Sequence, residues 1–453
     1  MKKNESLRIR AGVLALGMAT ATVLGGCSAG NGKGGQLKAS GSISGWNDKW
    51  DGTYGTMTED DKKQATTAAA AANEFNRNLY REIQKLRGRE ENTFASGYSA
   101  FAALSTLSCG MNESHDATGE LLRGLCLAAD DAVPTLDEVA RMTALTGRSM
   151  ENCKSNGLSI ADSLWISDQM EVADAFQSIY APRLNVMDAQ VFQTDFGSQA
   201  NVDEVNKWVS DATNGMIEKM KDKPDPDTIA EIYNAIYFDG KWETEFDAAD
   251  TKQEPFYGTA SESEVDMMHR VGEMGYREEK EFQVVSLPYK DNEFVMNIYL
   301  PNDRNVTMDQ MMSDGTLSKE QVDRIFGVDG SGAAAERQRE VILSLPKFTI
   351  EDDLNLCDPV KNCGINQIFE DAHMSGLTTQ DIYVSDIIQK TKIEVDEKGT
   401  KAAAVTAIVM NECSSIEEPD PTPIFIADHP FFFTITHQDT GTVLFTGSIN
   451  QLD

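Results

Sequence analysis

Hydrophobic and polar positions repeat with two different periods along the chain, and each period predicts its own kind of element. Helical spacing, with apolar residues three or four positions apart, occurs over residues 67–87 at Phe75, Leu79, Ile83 and Leu86. A second helical stretch covers residues 100–107. Short alternating runs at residues 341–345 and 431–435 predict strands. The mixture predicts an α+β architecture in one large folded body, from residue 67 to residue 453.

The segment from Glu397 to Thr406 consists largely of small residues and lacks proline, where an ordinary exposed loop would be polar. In an extended conformation, alternate side chains point to opposite faces. One face then carries no charge, since it consists of Thr400, Ala402, Ala404, Thr406, Ile408 and Met410. Gly399 supplies the backbone freedom for a turn at its base. The pattern predicts a loop that can become a strand between two others, because it buries no charge.

The N-terminal region has the pattern of a secretory leader. Lys2, Lys3, Arg8 and Arg10 precede an apolar run over residues 11–24, which is too short and too interrupted for a membrane span. The run ends in Leu24-Gly25-Gly26-Cys27, which resembles a bacterial lipobox. The resemblance implies a signal peptide over residues 1–27 with lipidation of Cys27, so we expect a lipid-anchored protein outside the cytoplasm. Simple secretion is the alternative.

Residues 28–66 start with a stretch dominated by Gly, Ser, Asn and Lys, which is typical of a flexible tether. The formal net charge of the chain is −33, and a surface this acidic repels nucleic acid and anionic lipid. We therefore expect no nucleic-acid partner, and membrane contact through the lipid anchor alone.

The seven cysteines form no CxxC pair, and no histidine stands near them at metal-ligand spacing. We expect neither a metal nor a cofactor. Cys109 and Cys126 lie in apolar helical stretches and are interpreted as packed free thiols, while a Cys357–Cys363 disulfide stays open. Motifs of hydrolases, metalloproteases and nucleotide-binding enzymes do not occur in a convincing setting, so we do not expect an enzyme.

The pattern Glu397-x-Gly399-Thr400-x-Ala402-Ala403-Ala404-x-Thr406 resembles the reactive-loop hinge of inhibitory serpins. Further blocks in family order extend the resemblance over most of the chain after about residue 70: Asn206-Lys207-Trp208-Val209, Asn234-Ala235-Ile236-Tyr237-Phe238, Met267-Met268-His269, Leu345-Pro346-Lys347-Phe348 and Asp428-His429-Pro430-Phe431. The resemblance implies a monomer with large mixed β-sheets, surrounding helices and an exposed reactive loop over about residues 397–428. It also implies a suicide-type inhibitor of serine proteases.

In the family, the protease attacks the bond after the seventeenth residue counted from the hinge glutamate, which here is the bond between Cys413 and Ser414. The cleaved loop then inserts into the main sheet and drags the acylated protease with it. Because no Lys or Arg follows Lys401, a trypsin-like target is excluded, and the small Cys413 suits an elastase-like or subtilisin-like pocket. A register shifted by one residue would place Glu412 there and favour a glutamate-preferring protease.

Two departures from the family concern the place where the central strands part. The usual Phe-x-Ser-Pro-x-Ser reads Phe94-Ala95-Ser96-Gly97-Tyr98-Ser99, and a common histidine is Gln389. We expect Ser96, Ser99, Asn234 and Gln389 to form a hydrogen-bonded cluster without the pH sensitivity of a histidine. Buried polar residues with no special role are the plainer interpretation. A serpin cleaved as a substrate, a non-inhibitory serpin, or a surface-anchored binding lipoprotein are the alternative functions.

Overall fold

The computed structural model describes residues 7–14, 35–37, 57–129, 132–151, 157–330, 337–399 and 421–452, with the backbone alone for the first two ranges. The helices in these ranges are α1 (Glu59–Gln84), α2 (Gly97–Ser108), α3 (Asp116–Gly124), α4 (Leu136–Glu151), α5 (Ala181–Val186), α6 (Gln199–Ala212), α7 (Met308–Ser313), α8 (Lys319–Ile325) and α9 (Cys357–Asn362). A π-helical turn, Phe176–Tyr180, precedes α5.

The strands of the same ranges fall into two sheets. They are β1 (Leu7–Leu14), β2 (Gly35–Leu37), β3 (Thr93–Ala95), β4 (Gly157–Ser167), β5 (Gln190–Thr194), β6 (Thr228–Asp239), β7 (Lys252–Tyr257), β8 (Glu262–Glu278), β9 (Phe282–Pro288), β10 (Phe294–Pro301), β11 (Arg337–Pro346), β12 (Phe348–Asn355), β13 (Ile382–Val395), β14 (Ile424–Ile426), β15 (Phe431–His437) and β16 (Val443–Ile449). The seven-stranded sheet has the order β12-β13-β1-β6-β4-β5-β2. The nine-stranded sheet has the order β14-β11-β8-β9-β10-β15-β16-β3, with β7 on β8. This arrangement confirms the predicted α+β class.

Helix α1 begins at Glu59, eight residues before the predicted start of the folded body. Thr58 caps it, because its hydroxyl accepts a hydrogen bond from the Asp61 amide while the Asp61 carboxylate accepts one from the Thr58 amide. Glu59, Asp60 and Asp61 form an acidic first turn, which suits the positive end of a helix. Apolar spacing misses this turn because the turn is polar. Residues 35–37, inside the predicted tether, pair with β5.

Helix α2 is buried at every one of its twelve positions and lies under the seven-stranded sheet. Helix α6 packs on the other face of that sheet, where Val205 joins Trp165, Phe196 and Tyr233 in an apolar cluster. Neighbouring residues of a strand point to opposite faces, so Tyr233 faces α6 while Asn234 faces α2. β6 therefore lies between two helices, one on each face of the sheet.

Strand β1 lies between β6 and β13 and runs parallel to both. Its Val13 is level with Asn234 on one side and Gln389 on the other. β1 belongs to the predicted signal peptide, and cleavage at Cys27, which lies outside the described residues, stays a prediction. The pairing establishes that β6 and β13 are one strand apart at the level of Asn234 and Gln389.

Candidate functional site: the loop hinge and the cluster beneath the sheet

The hinge is a tight reversal of the chain at the end of β13. The Asp396 amide donates to the Gly399 carbonyl at 3.0 Å, and the Gly399 amide donates back to the Asp396 carbonyl at 3.3 Å. The Asp396 carboxylate also accepts from the Lys398 amide at 2.9 Å. A chain that continues this pairing beyond Gly399 runs antiparallel to β13.

Gly399 is held against the end of β6 in a conformation that requires glycine. Its φ is 135°, and a Cβ atom there would lie 2.3 Å from the Gly240 carbonyl oxygen. The Trp242 amide donates to the Lys398 carbonyl and the Trp242 indole donates to the Asp396 carbonyl, both at 3.0 Å. Glycine at position 399 is predicted for backbone freedom at the base of the loop. The structure shows a second reason, since the backbone packs too closely against Gly240 for any side chain.

Glu397 fixes the hinge from the other side. Its carbonyl accepts from the Phe246 amide at 2.8 Å, and its carboxylate accepts from Thr251 Oγ1 at 2.9 Å. The same carboxylate pairs with Lys347 at 3.2 Å. Burial raises the pKa of Glu397, but these hydrogen bonds and the Lys347 charge outweigh burial and hold the pKa below its usual value.

The other predicted hinge and cleavage residues lie outside the described residues: Thr400, Ala402, Ala403, Ala404, Thr406, Cys413 and Ser414.

The four predicted cluster residues come together beneath the seven-stranded sheet, at the N-terminus of α2. Gln389 Oε1 accepts from the Ser96 amide at 3.0 Å, and Gln389 Nε2 donates to the Ser96 carbonyl at 2.9 Å. Ser96 Oγ, the cap of α2, accepts from the Ser99 amide at 3.2 Å. Ser99 Oγ donates to Asn234 Oδ1 at 2.7 Å. The glutamine thus uses both its acceptor and its donor.

A fifth member, Asp162 of β4, was not predicted. It lies directly opposite Asn234 in the antiparallel pairing of β4 with β6, and its Oδ1 accepts from Asn234 Nδ2 at 2.8 Å. Burial raises the pKa of Asp162 to about 6. A carboxylate in the middle of a buried strand is the sequence signal that marks it. The sequence predicts a cluster without the pH sensitivity of a histidine because of Gln389. That prediction does not include the Asp162 carboxylate.

Gly97, where the family usually has proline, is explained by Asn76 of α1. A Cβ atom on Gly97 would lie 2.2 Å from Asn76 Oδ1 and 2.4 Å from Asn76 Cβ. Asn76 is itself 1% exposed and has no room to withdraw. The space that a proline ring needs is therefore occupied by a side chain from another helix.

A second polar group lies on the opposite face of β6, under α6. Lys221 donates to Glu231 at 2.7 Å, and Tyr233 Oη donates to the other oxygen of Glu231 at 2.8 Å. Lys221 and Glu231 are 5% and 1% exposed, and the Lys221 ammonium lies 4.7 Å from the centre of the Phe196 ring. This buried ion pair ties the segment after α6 to β6.

The cysteines of the described residues, Cys109, Cys126, Cys357 and Cys363, are free thiols. Cys357 and Cys363 stand at the two ends of α9 without a bridge, which settles the disulfide that the sequence left open. Burial raises the pKa of Cys109 to about 12, so this thiol is unreactive at neutral pH. Within the described part of the chain, no helix is long and apolar enough to cross a membrane.

Comparison with known proteins assigns the family. The model of the family described as Serpin (serine protease inhibitor) matches residues 70–452. The chain belongs to the serpin family. Iripin-2 of Ixodes ricinus is 32% identical over 392 residues, which cover 84% of this chain and 93% of the relative. An uncharacterised serpin-like protein of Thermococcus kodakarensis is 30% identical over 403 residues, with 87% of each chain covered.

Solved serpin structures share the fold. Native tengpin, a thermophilic serpin, superposes with a TM-score of 0.70 at 24% identity and covers 88% of this serpin and 96% of its own chain. Human thyroxine-binding globulin in complex with thyroxine superposes with a TM-score of 0.71 at 23% identity, over 86% and 99% of the two chains. Serpins are generally protease inhibitors rather than enzymes.

Proposed function

We propose that this serpin is an irreversible, suicide-type inhibitor of serine proteases, whose cleaved loop inserts between β6 and β13, in the position that β1 of the leader occupies and that removal of the leader would free. The observation that carries the proposal is a match in length. β13 has 14 residues, and 14 residues run from Thr400 to Cys413. When the pairing of Asp396 with Gly399 is continued, Thr400 stands opposite Val395 and Cys413 stands opposite Ile382, the first residue of β13. The proposed cleavage point thus coincides with the far end of the strand that the loop would pair with.

The same register supports the proposal through the faces of the inserted strand. Five of the six residues on the uncharged face of the loop fall opposite buried β13 residues, namely Val395, Ile393, Thr391, Gln389 and Ile387, and the sixth, Met410, falls opposite half-buried Ser385. Thr406 falls opposite Gln389, at the level of the polar cluster. A strand of 14 residues is about 45 Å long, so insertion would carry a bound protease far enough to distort its active site.

The proposed chemistry uses the protease's own nucleophile. The protease serine attacks the Cys413 carbonyl and forms an acyl-enzyme, and the new N-terminus at Ser414 leaves. Insertion of the loop then competes with hydrolysis of the acyl-enzyme, and inhibition results when insertion is faster. The gain in strand hydrogen bonds and burial makes the step irreversible.

The proposed targets are elastase-like or subtilisin-like proteases, because a small specificity pocket accepts the short Cys413 side chain. The proposed location is outside the cytoplasm, with the protein held on a bacterial membrane by a lipid on Cys27. The leader and the Gly/Ser-rich segment after it support this location.

The proposal is tested by mixing the protein with pancreatic elastase, subtilisin or trypsin and examining the products on denaturing gels. We expect covalent complexes with elastase or subtilisin and none with trypsin. Cleavage without any complex would identify a substrate-type serpin, and an intact loop would favour a binding protein. Mass spectrometry of the released peptide should find a new N-terminus at Ser414.

Insertion itself is tested by Thr400→Arg, with Ala403→Arg as the matched control. Arg at position 400 would face buried Val395 and bring an unpaired cation into the core, at a cost of several kcal/mol. Arg at position 403 would face Lys392 on the half-exposed side of β13, where charge is tolerated. We expect Thr400→Arg to be cleaved as a substrate and Ala403→Arg to retain complex formation. Equal complex formation by both variants would refute insertion in this register.

A further inference from the structure

Four exposed apolar side chains lie together on the outer face of the nine-stranded sheet. They are Val271 of β8, Ile342 of β11, and Ile424 and Ile426 of β14, and their exposed fractions run from 39% to 62%. Ile342 is level with Val271 on one side and with Ile424 on the other. The four side chains therefore form one patch across three neighbouring strands at the edge of the sheet, and we call it the edge patch.

The fold does not require apolar side chains at the positions of the edge patch. Alternate residues of the same strands, among them Leu343 and Phe425, point to the opposite face and are buried in the main core. An antiparallel sheet with one face in the core usually carries polar residues on its outer face. Contiguous exposed apolar side chains are typical of contact sites for other molecules. The edge patch is therefore a candidate interaction surface.

Two carboxylates flank one end of the edge patch. Glu273 of β8 and Glu340 of β11 are exposed and lie directly opposite each other in the strand pairing. They are two residues away from Val271 and Ile342, so they share the face of the patch. Neither carboxylate forms an ion pair with another described residue. Like charges opposite each other destabilise a strand pair, and a cation from a partner would offset this cost.

The edge patch lies beside the point where the chain returns from the reactive loop. Arg339 of β11 donates to the Pro421 carbonyl at 3.2 Å, and β14 begins three residues later at Ile424. Eight residues run from Ser414 to Pro421, which is a link of at most about 28 Å. A protease domain of about 230 residues is about 45 Å across. A protease held at the proposed cleavage point is therefore within reach of the edge patch.

We propose that the edge patch is a docking surface for the target protease, which covers it with apolar side chains and brings a basic residue to Glu273 and Glu340. The inference rests on the proposed inhibition, because the reactive loop is what brings the protease to this edge of the sheet. A second copy of the chain or an anionic membrane fits less well, since the net charge of −33 repels both. Docking holds the protease beside the loop before the bond is attacked, so it increases the rate of association.

The experiment measures binding of pancreatic elastase and of subtilisin, each with its catalytic serine replaced by alanine, so that docking is observed without cleavage. The wild type is compared with the double variant Val271→Thr/Ile424→Thr, in which threonine keeps the β-branched shape at two exposed strand positions. Leu86→Thr is the matched control, because Leu86 lies on the turn after α1 and is 62% exposed, as Val271 is. The double variant should bind at least one of the two proteases about tenfold more weakly, and the control should bind as the wild type does.

The contribution of the two carboxylates is tested separately with the double variant Glu273→Gln/Glu340→Gln. Association of the wild type with the protease should slow down as salt is added, because salt screens the attraction between exposed charges. The glutamine variant should lose part of this salt dependence. An unchanged salt dependence would remove the basic residue of the partner from the proposal.

Equal binding by the wild type and the threonine variant, or no binding by the wild type to either protease, would overturn the inference. The rate of covalent complex formation with the active proteases, measured on the same variants, separates this inference from the proposed function. Complexes that form equally fast in the threonine variant would refute docking and leave the inhibitory function intact. Docking through the edge patch without any covalent complex would support the inference and refute the inhibitory mechanism.

Discussion

Gly97→Ala is a small change whose effect should depend almost entirely on one residue of another helix. The new methyl group would lie 2.2 Å from Asn76 Oδ1 and 2.4 Å from Asn76 Cβ and Cγ. These distances are far below van der Waals contact, and both residues are buried. Asn76 is held in the interior of α1, so it cannot withdraw as a flexible surface side chain would.

The magnitude follows from two opposing effects. Overpacking a filled core costs about 1–3 kcal/mol, while alanine is better than glycine in a helix by up to about 1 kcal/mol. The net loss for Gly97→Ala should be about 1–2 kcal/mol. Asn76→Gly removes every side-chain atom that fills this space, Cβ included, and among them Nδ2 is a buried group without a hydrogen-bond partner among the described residues. In that background Gly97→Ala should be neutral or stabilising, which gives a coupling energy of about 2 kcal/mol.

Urea unfolding followed by tryptophan fluorescence should measure the cycle on the wild type, both single variants and the double variant. Gly147→Ala in α4 is the matched control, because the nearest atom to its added methyl group, Tyr98 Oη, is 3.4 Å away. It should raise the unfolding midpoint. The reasoning is refuted if Gly97→Ala lowers the midpoint by the same amount with and without Asn76. Gly97→Pro, which restores the usual family residue, should show the same dependence on Asn76, since proline is favoured at the first position of a helix.

Three further changes test other parts of the molecule. Lys221→Met leaves Glu231 buried without its cation and should cost about 3–5 kcal/mol, while adding Glu231→Leu should recover most of the loss, as measured by thermal melting. Cys413→Arg should gain trypsin inhibition and lose elastase inhibition, because an acidic specificity pocket binds the guanidinium and a small pocket rejects it. If the variant inhibits trypsin and elastase at the same rates as the wild type, the protease cleaves the loop in another register. Cys27→Ala should release the protein from bacterial membranes into the aqueous phase of a detergent extraction, and a wild type that has no acyl mass on its N-terminus would contradict the lipoprotein proposal.

The sequence predicts the family and the α+β class because both depend on local patterns. Small residues in alternation predict a segment that can pair as a strand, and its pairing with β13 beyond Gly399 stays a prediction. The start of α1 is also marked by a local pattern, but apolar spacing does not detect it. Its first turn, with Glu59, Asp60 and Asp61, is polar throughout, and a capping box predicts a helix start better there than apolar spacing does.

Pairings that depend on distant parts of the chain were predicted only where a family pattern named them. Ser96, Ser99, Asn234 and Gln389 were brought together by resemblance. Neither Asn76 nor Asp162 was included, because their partners Gly97 and Asn234 are 21 and 72 residues away in sequence. Periodicity shows that such residues are buried, but it does not show which polar group faces which.

The two polar groups on β6 suggest how its movement is controlled. Asn234 bonds to Ser99 and Asp162 on the α2 face, and Glu231 pairs with Lys221 on the α6 face. Moving β6 away from apolar neighbours costs free energy in proportion to the apolar area that becomes exposed, and this free energy is regained only when the strand packs again. Buried polar groups differ, because water or new partners can satisfy them as soon as the strand moves. A strand held in this way keeps its place between α2 and α6, and moving it costs less free energy than moving a strand held by apolar packing alone.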